Sequence, residues 1–138
     1  MNTVFTGTNI RNYFISLAVF LVIDMVWLIF IARSLYSKHL GYLMAEKVNY
    51  PAAFLFYLLF ILGLLIFIIN PALTAGSWKS ALFYGLLFGL VTYATYDLTN
   101  LATVKGWPIL ITAIDLVWGS FVSGITAVLS YQIIRLFR

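Results

Sequence analysis

The stretch AAFLFYLLFILGLLIFII, residues 52–69, carries a single polar side-chain group, the Tyr57 hydroxyl. A helix crosses roughly 30 Å of hydrocarbon with about 20 apolar residues, at about 1.5 Å per residue. Pro51 opens the run and Asn70-Pro71 closes it, the punctuation expected of helix ends. The segment therefore reads as one membrane-spanning helix. Three further runs, 13–32, 80–101 and 108–134, have the same character. Gly76-Ser77 offers a cap for the third helix, and Pro108 suits the first turn of the fourth.

Composition agrees. The chain of 138 residues is 64% hydrophobic, 18% aromatic and only 9% charged, with a mean hydropathy of +1.05. A soluble domain of this size cannot hide so much apolar surface. The expectation is an all-α, integral membrane four-helix bundle forming one transmembrane domain over 1–138. The first run resembles a signal peptide in position, but it contains Asp24 and is followed by bulky Leu35 and Tyr36, so it reads as a retained anchor.

The only long link, 33–50, places Tyr36, Leu40, Leu43 and Met44 near helical spacing, opposite Ser37, Lys38, Glu46 and Lys47. That pattern predicts a short interfacial helix on the membrane surface. The other links are short, so successive helices should be antiparallel neighbours. The second helix, nearly devoid of polar groups, is expected to face lipid.

Lys and Arg do not decide orientation. Arg11, Lys79, Arg135 and Arg138 fall on the face with both termini, and Arg33, Lys38, Lys47 and Lys105 on the other. Local neutralisation of Lys105 by an acid would favour cytoplasmic termini. The tie leaves dual insertion, and with it an antiparallel homodimer, open. The basic residues are scattered singly at the ends of apolar runs, which speaks against nucleic acid as a partner.

Against this background the polar residues of YDLTNLATVKGWP, 96–108, stand out. By helix rise, Asp115 lies roughly 10 Å and Asp24 roughly 13 Å inside the face away from the termini. Asp97 lies in the same half. Ionisable groups within a span cost several kcal/mol against lipid and should turn inwards. They predict a polar pocket between the first, third and fourth helices.

The phrases VIDMVW (22–27) and AIDLVW (113–118) set Asp24 with Trp27, and Asp115 with Trp118, on one helical face each. An indole N–H can hydrogen-bond a carboxylate, and its ring makes an apolar or cation-attracting wall. The alternative is a structural clamp, each acid satisfied by a Trp, Tyr or Ser from a neighbouring helix. On the third helix Ala81, Gly85, Gly89, Tyr93 and Asp97 recur every four residues, small at one end and polar at the other. Gly85 and Gly89 form a GxxxG pair, and Gly119 with Ser123 and Ser120 with Gly124 add small-residue pairs that suit close packing. Tyr93, Tyr96, Asp97, Asn100 and Lys105 would line the mouth of the pocket.

Other chemistry is thinly supported. There is no cysteine, and the lone histidine, His39, rules out a bis-histidine haem within one chain. The carboxylates match no recognised metal motif, and neither a phosphate-binding glycine loop nor a nucleophile elbow is present. No cofactor and no metal is expected. Trp78 and Trp107 read as interfacial anchors, with lining the mouth of the pocket the alternative for Trp107.

The ordered set IDMVWL, LYSKHLG, NYPAAFLFYLLF, YATYDLTNLATVKGWP and DLVWG resembles a family of small bacterial predicted membrane proteins catalogued as a domain of unknown function. The resemblance covers nearly the whole chain and implies a stand-alone four-helix protein of the bacterial inner membrane. It implies no activity, cofactor or catalytic residue. Two functional readings follow from the residues. One is a bundle that binds or transports a small cationic or amphipathic ligand through its acids, in a pH-dependent way. The other is a membrane-embedded enzyme or enzyme subunit acting on lipid, with two carboxylates as acid and base and with Asn100 and Lys105 positioning the polar part. A structural partner of another membrane protein is a third, blander reading.

Overall fold

The computed structural model describes residues 6–44, 47 and 49–137. Four helices carry the chain: α1 (Gly7–Leu40), α2 (Tyr50–Ala75), α3 (Trp78–Thr103) and α4 (Ile109–Leu136). Each is long and apolar enough to cross a membrane, and no strand occurs among the described residues. The fold is an all-α membrane bundle. Its helix starts are capped by side chains that satisfy otherwise orphaned backbone N–H groups. Thr6 Oγ1 accepts from the Asn9 N–H, Asn49 Oδ1 from that of Ala52, and Ser77 Oγ from that of Ser80, each at 3.1 Å. Gly76 (φ 66°) ends α2 and Gly106 (φ 76°) turns the chain between α3 and α4, both in the left-handed region that glycine tolerates.

The first helix departs from expectation. It does not stop at Ala32 and restart as a separate surface helix; it continues to Leu40, 34 residues in all. No glycine or proline lies between Gly7 and Gly41, so nothing breaks the helix before the Gly41–Leu43 turn. Ala45, Glu46 and Val48, the rest of the expected interfacial segment, lie outside the described residues. A π-turn at Leu28–Ala32 interrupts α1, with the Arg33 N–H donating to the Leu28 carbonyl. The turn absorbs one residue of rotation. In a regular helix Asp24 and Tyr36 would diverge by about 120°; with one residue taken up they differ by about 20°. The π-turn thus brings Tyr36 onto the face of Asp24.

The second helix also differs from expectation, because it is part of the core and does not merely face lipid. Ile61, Leu64, Ile69 and Ala72 are fully buried, packed with Phe20 of α1 and with Tyr131 and Ile134 of α4. A helix apolar all round gives no periodic signal of which side packs, so its sequence was silent on the point. Just before Pro71, which has no N–H to donate, the helix widens into a second π-turn at Leu65–Ile69. Tyr13 of α1 ties the pair together by donating to the Leu58 carbonyl at 2.9 Å.

The tightest packing joins α3 to α4, where glycines let the backbones approach. A Cβ on Gly85 would sit 3.0 Å from both the Gly124 Cα and the Ala127 Cβ. One on Gly89 would overlap the Gly119 carbonyl oxygen and Ser123 Oγ. Gly124 receives Leu86 in turn, and Ser120 Oγ donates to the Leu86 carbonyl at 2.9 Å. In lipid, where burial of apolar surface drives little association, such van der Waals fit holds helices together.

Helix propensity alone would make Gly89→Ala stabilising by about 0.5–1 kcal/mol. The overlap with backbone opposes this at about 1–3 kcal/mol. We therefore expect Gly89→Ala to lower the thermal midpoint in detergent, whereas Gly7→Ala, whose new Cβ meets nothing within 4 Å, leaves it within experimental scatter.

Candidate functional site

The ends of the four helices remote from both termini enclose a cavity of about 530 Å³. Its polar wall is built from three aspartates on three helices. Asp24 of α1 is 5% exposed, Asp115 of α4 is 6% exposed, and Asp97 of α3 is fully buried. Their partners differ. Asp24 Oδ2 accepts from the Tyr57 hydroxyl of α2 at 2.9 Å, and Asp115 Oδ1 accepts from the Tyr36 hydroxyl at the far end of α1. Asp97 faces Asp115 closely enough for the two carboxyl groups to share a proton, and no other group donates to either Asp97 oxygen. Two carboxyl groups facing each other offer acceptors only, unless a proton or another donor lies between them.

The aromatic wall centres on the two tryptophans of the repeated phrase. The Trp27 and Trp118 rings stack with centroids 4.3 Å apart and planes 8° from parallel. Because α1 and α4 run in opposite directions, Asp24 and Asp115 lie on opposite sides of this stack along the bundle, each roughly 4.5 Å away by helix rise. The expected pairing within each phrase is exchanged. Trp118 approaches Asp24, and Trp27 approaches the Tyr36 hydroxyl that serves Asp115. Tyr93 closes the inner wall, its ring pressed on the Cα of Gly119, where a Cβ would collide with it. Tyr93 is the one tyrosine near all three acids. The outer rim carries Tyr96, 59% exposed, and Met44, 50% exposed, so the lining grades from the surface to the buried Asp97.

Asp24, Trp27, Tyr93, Tyr96, Asp97, Asp115 and Trp118 are thus brought together around one cavity. Asn100 and Lys105 are not in its lining. Asn100 sits one turn beyond Tyr96, beside the Tyr96 hydroxyl, and Lys105 is exposed in the α3–α4 turn. Trp107, expected at the interface, is instead buried. Its Nε1–H donates to Thr112 Oγ1 at 3.1 Å, and its ring meets Tyr96 edge-on. Tyr42 fastens the same turn by donating to the Gly106 carbonyl at 2.8 Å. Among the described residues no group of His, Cys, Asp or Glu is arranged to hold a metal ion.

Sequence reasoning missed Tyr36 and Tyr57. Tyr57 carried a signal, being the only hydroxyl in an otherwise apolar span, where an unpaired polar group is costly. Tyr36 carried none, since its position depends on the π-turn. The contact between Tyr57 and Asp24 stabilises the bundle, because removing the hydroxyl takes a donor from a buried carboxyl and leaves it Trp118 alone. Tyr57→Phe is expected to cost about 1–3 kcal/mol, read as a lower thermal midpoint, and Asp24→Asn in the same background should recover part of it.

Neither a curated protein nor a solved structure matches the chain. A family described as predicted membrane protein (DUF2177) matches residues 9–132, nearly the whole bundle. The chain, a multi-pass membrane protein with four spans, belongs to that family.

Proposed function

We propose that the acid-lined cavity binds, and in a membrane transports, a small cationic or amphipathic ligand. One observation carries this reading: Asp97 is fully buried in the cavity wall, and apart from the facing Asp115 carboxyl no group donates to either of its oxygens. A carboxyl whose role is to clamp helices finds a partner, as Asp24 and Asp115 do in tyrosines. Asp97 has only the facing Asp115 carboxyl, a second acid, which suits a guest that brings N–H donors or positive charge. The parallel indoles and the four tyrosines of the lining add π faces that attract a cation. The volume falls within the range of small-molecule sites.

We place the protein in the bacterial inner membrane with both termini in the cytoplasm, so that the cavity lies in the outer half of the bilayer. Dual insertion with an antiparallel homodimer is the competing arrangement. Reporter fusions at the C-terminus distinguish them: a single orientation gives signal on one side only.

The ligand reading is tested with butylammonium as a probe, titrated by calorimetry into the full chain in mild detergent. Asp97→Asn and Asp115→Asn should each weaken binding by roughly 10- to 100-fold, the worth of a charged hydrogen bond. Asp97→Asn should keep or raise the thermal midpoint, since the amide can still donate to Asp115 while one of two facing acids is removed. A lowered midpoint with unchanged butylammonium binding would show Asp97 to be structural and reject the proposal.

A further inference from the structure

A second cavity, about 490 Å³, lies on the outer side of the bundle between α1 and α4. Its walls are apolar: Ile31 of α1, and Ala113, Ile114, Val117 and Phe121 of α4. The remaining two wall residues are Trp27 and Trp118, which also line the acidic cavity. The stacked indoles therefore border both an acid-lined chamber and a hydrocarbon-lined groove.

This sharing limits the chemistry of the guest. A hydrophilic cation would use only the acidic side, and the groove would have no relation to it. Here both compartments converge on the same pair of rings. The groove-side residues Val117 and Ile31 are 72% and 48% exposed, so the groove opens outwards into the region a spanning helix turns to lipid. Indoles suit a boundary of this kind, since each presents a flat apolar face to a chain and a polar edge to a head group.

We infer that the ligand is a single-chain amphiphile with an amine or other multiply N–H-bearing head group, the head in the cavity at Asp97 and Asp115 and the chain lying across Trp27 and Trp118 into the groove. This rests on the binding reading above and goes further by naming the ligand class and its second subsite. The donors of the head answer the Asp97 oxygens, and the chain covers Ala113, Val117 and Phe121 without any polar demand. Free alkylamines and amine-headed lipids share this chemistry.

The test compares butylammonium with decylammonium on the full chain and on Ala113→Phe. Ala113 is an exposed position on the groove side of α4, so the larger ring fills the groove without entering the core. Partition of each probe into the detergent is common to both proteins and cancels. Butylammonium should bind the two within about twofold, and decylammonium should bind wild type at least about tenfold more tightly than Ala113→Phe, the chain losing its apolar contacts. Val117→Phe, filling the groove one turn on, should repeat the result and guards against a local fault in the first variant. Equal decylammonium binding to all three proteins would overturn the inference while leaving the cavity reading intact. If butylammonium fails to bind wild type, or binds Asp97→Asn equally well, the cavity reading itself falls. A lysophospholipid with an amine head, run alongside one with a trimethylated head, separates lipid from free amine and weighs N–H donation against charge alone.

Discussion

Hydrocarbon is a poor solvent for a carboxyl group, and the architecture answers that constraint. Three of the four acidic residues of the chain sit within spans, each on a different helix. An isolated carboxylate there is costly enough that each must meet a donor or a wet space. Two do so through tyrosines reaching from other parts of the bundle, Tyr57 from α2 and Tyr36 from beyond the π-turn of α1. These contacts tie α1 to α2 and α1 to α4 at one end of the bundle. The third acid is left without such a contact, and the cavity collects around it.

The glycine contacts of α3 and α4 serve the same end from the opposite side. Gly89 rests on the Gly119 backbone, and Gly119 in turn lies under the Tyr93 ring. The close approach of two helices therefore sets where an aromatic wall stands. Packing and site are coupled through one residue, Gly119, whose lack of a side chain serves both the neighbouring backbone and the ring. A larger residue there would push Tyr93 towards the acids it now borders.

Much of the bundle was legible from residues alone because the signals were physical and local. Run length and proline punctuation marked four spans, and the cost of charge in lipid marked Asp24, Asp97 and Asp115 as inward-facing. The glycine spacing of α3 marked a close contact. What escaped the sequence was relational. The fully apolar face of α2 carries no periodicity, so its place in the core could not be read. That Trp118, not Trp27, approaches Asp24 depends on how two antiparallel helices meet. The position of Tyr36 depends on a π-turn in LIFIA, which contains no proline or glycine to announce it. Asn100 and Lys105 were placed at the mouth by proximity in sequence; neither is in the cavity lining, although Asn100 stands beside the Tyr96 hydroxyl at its rim.

That π-turn divides α1 into two rods with independent phase. Side chains up to Trp27 are aligned by the inner rod, and those from Arg33 onward by the outer one. An insertion or deletion of a single residue between them would leave the inner half untouched and swing the whole outer half by roughly 100°, carrying Tyr36 away from Asp115. In this segment the count of residues sets the register between Asp24 and Tyr36.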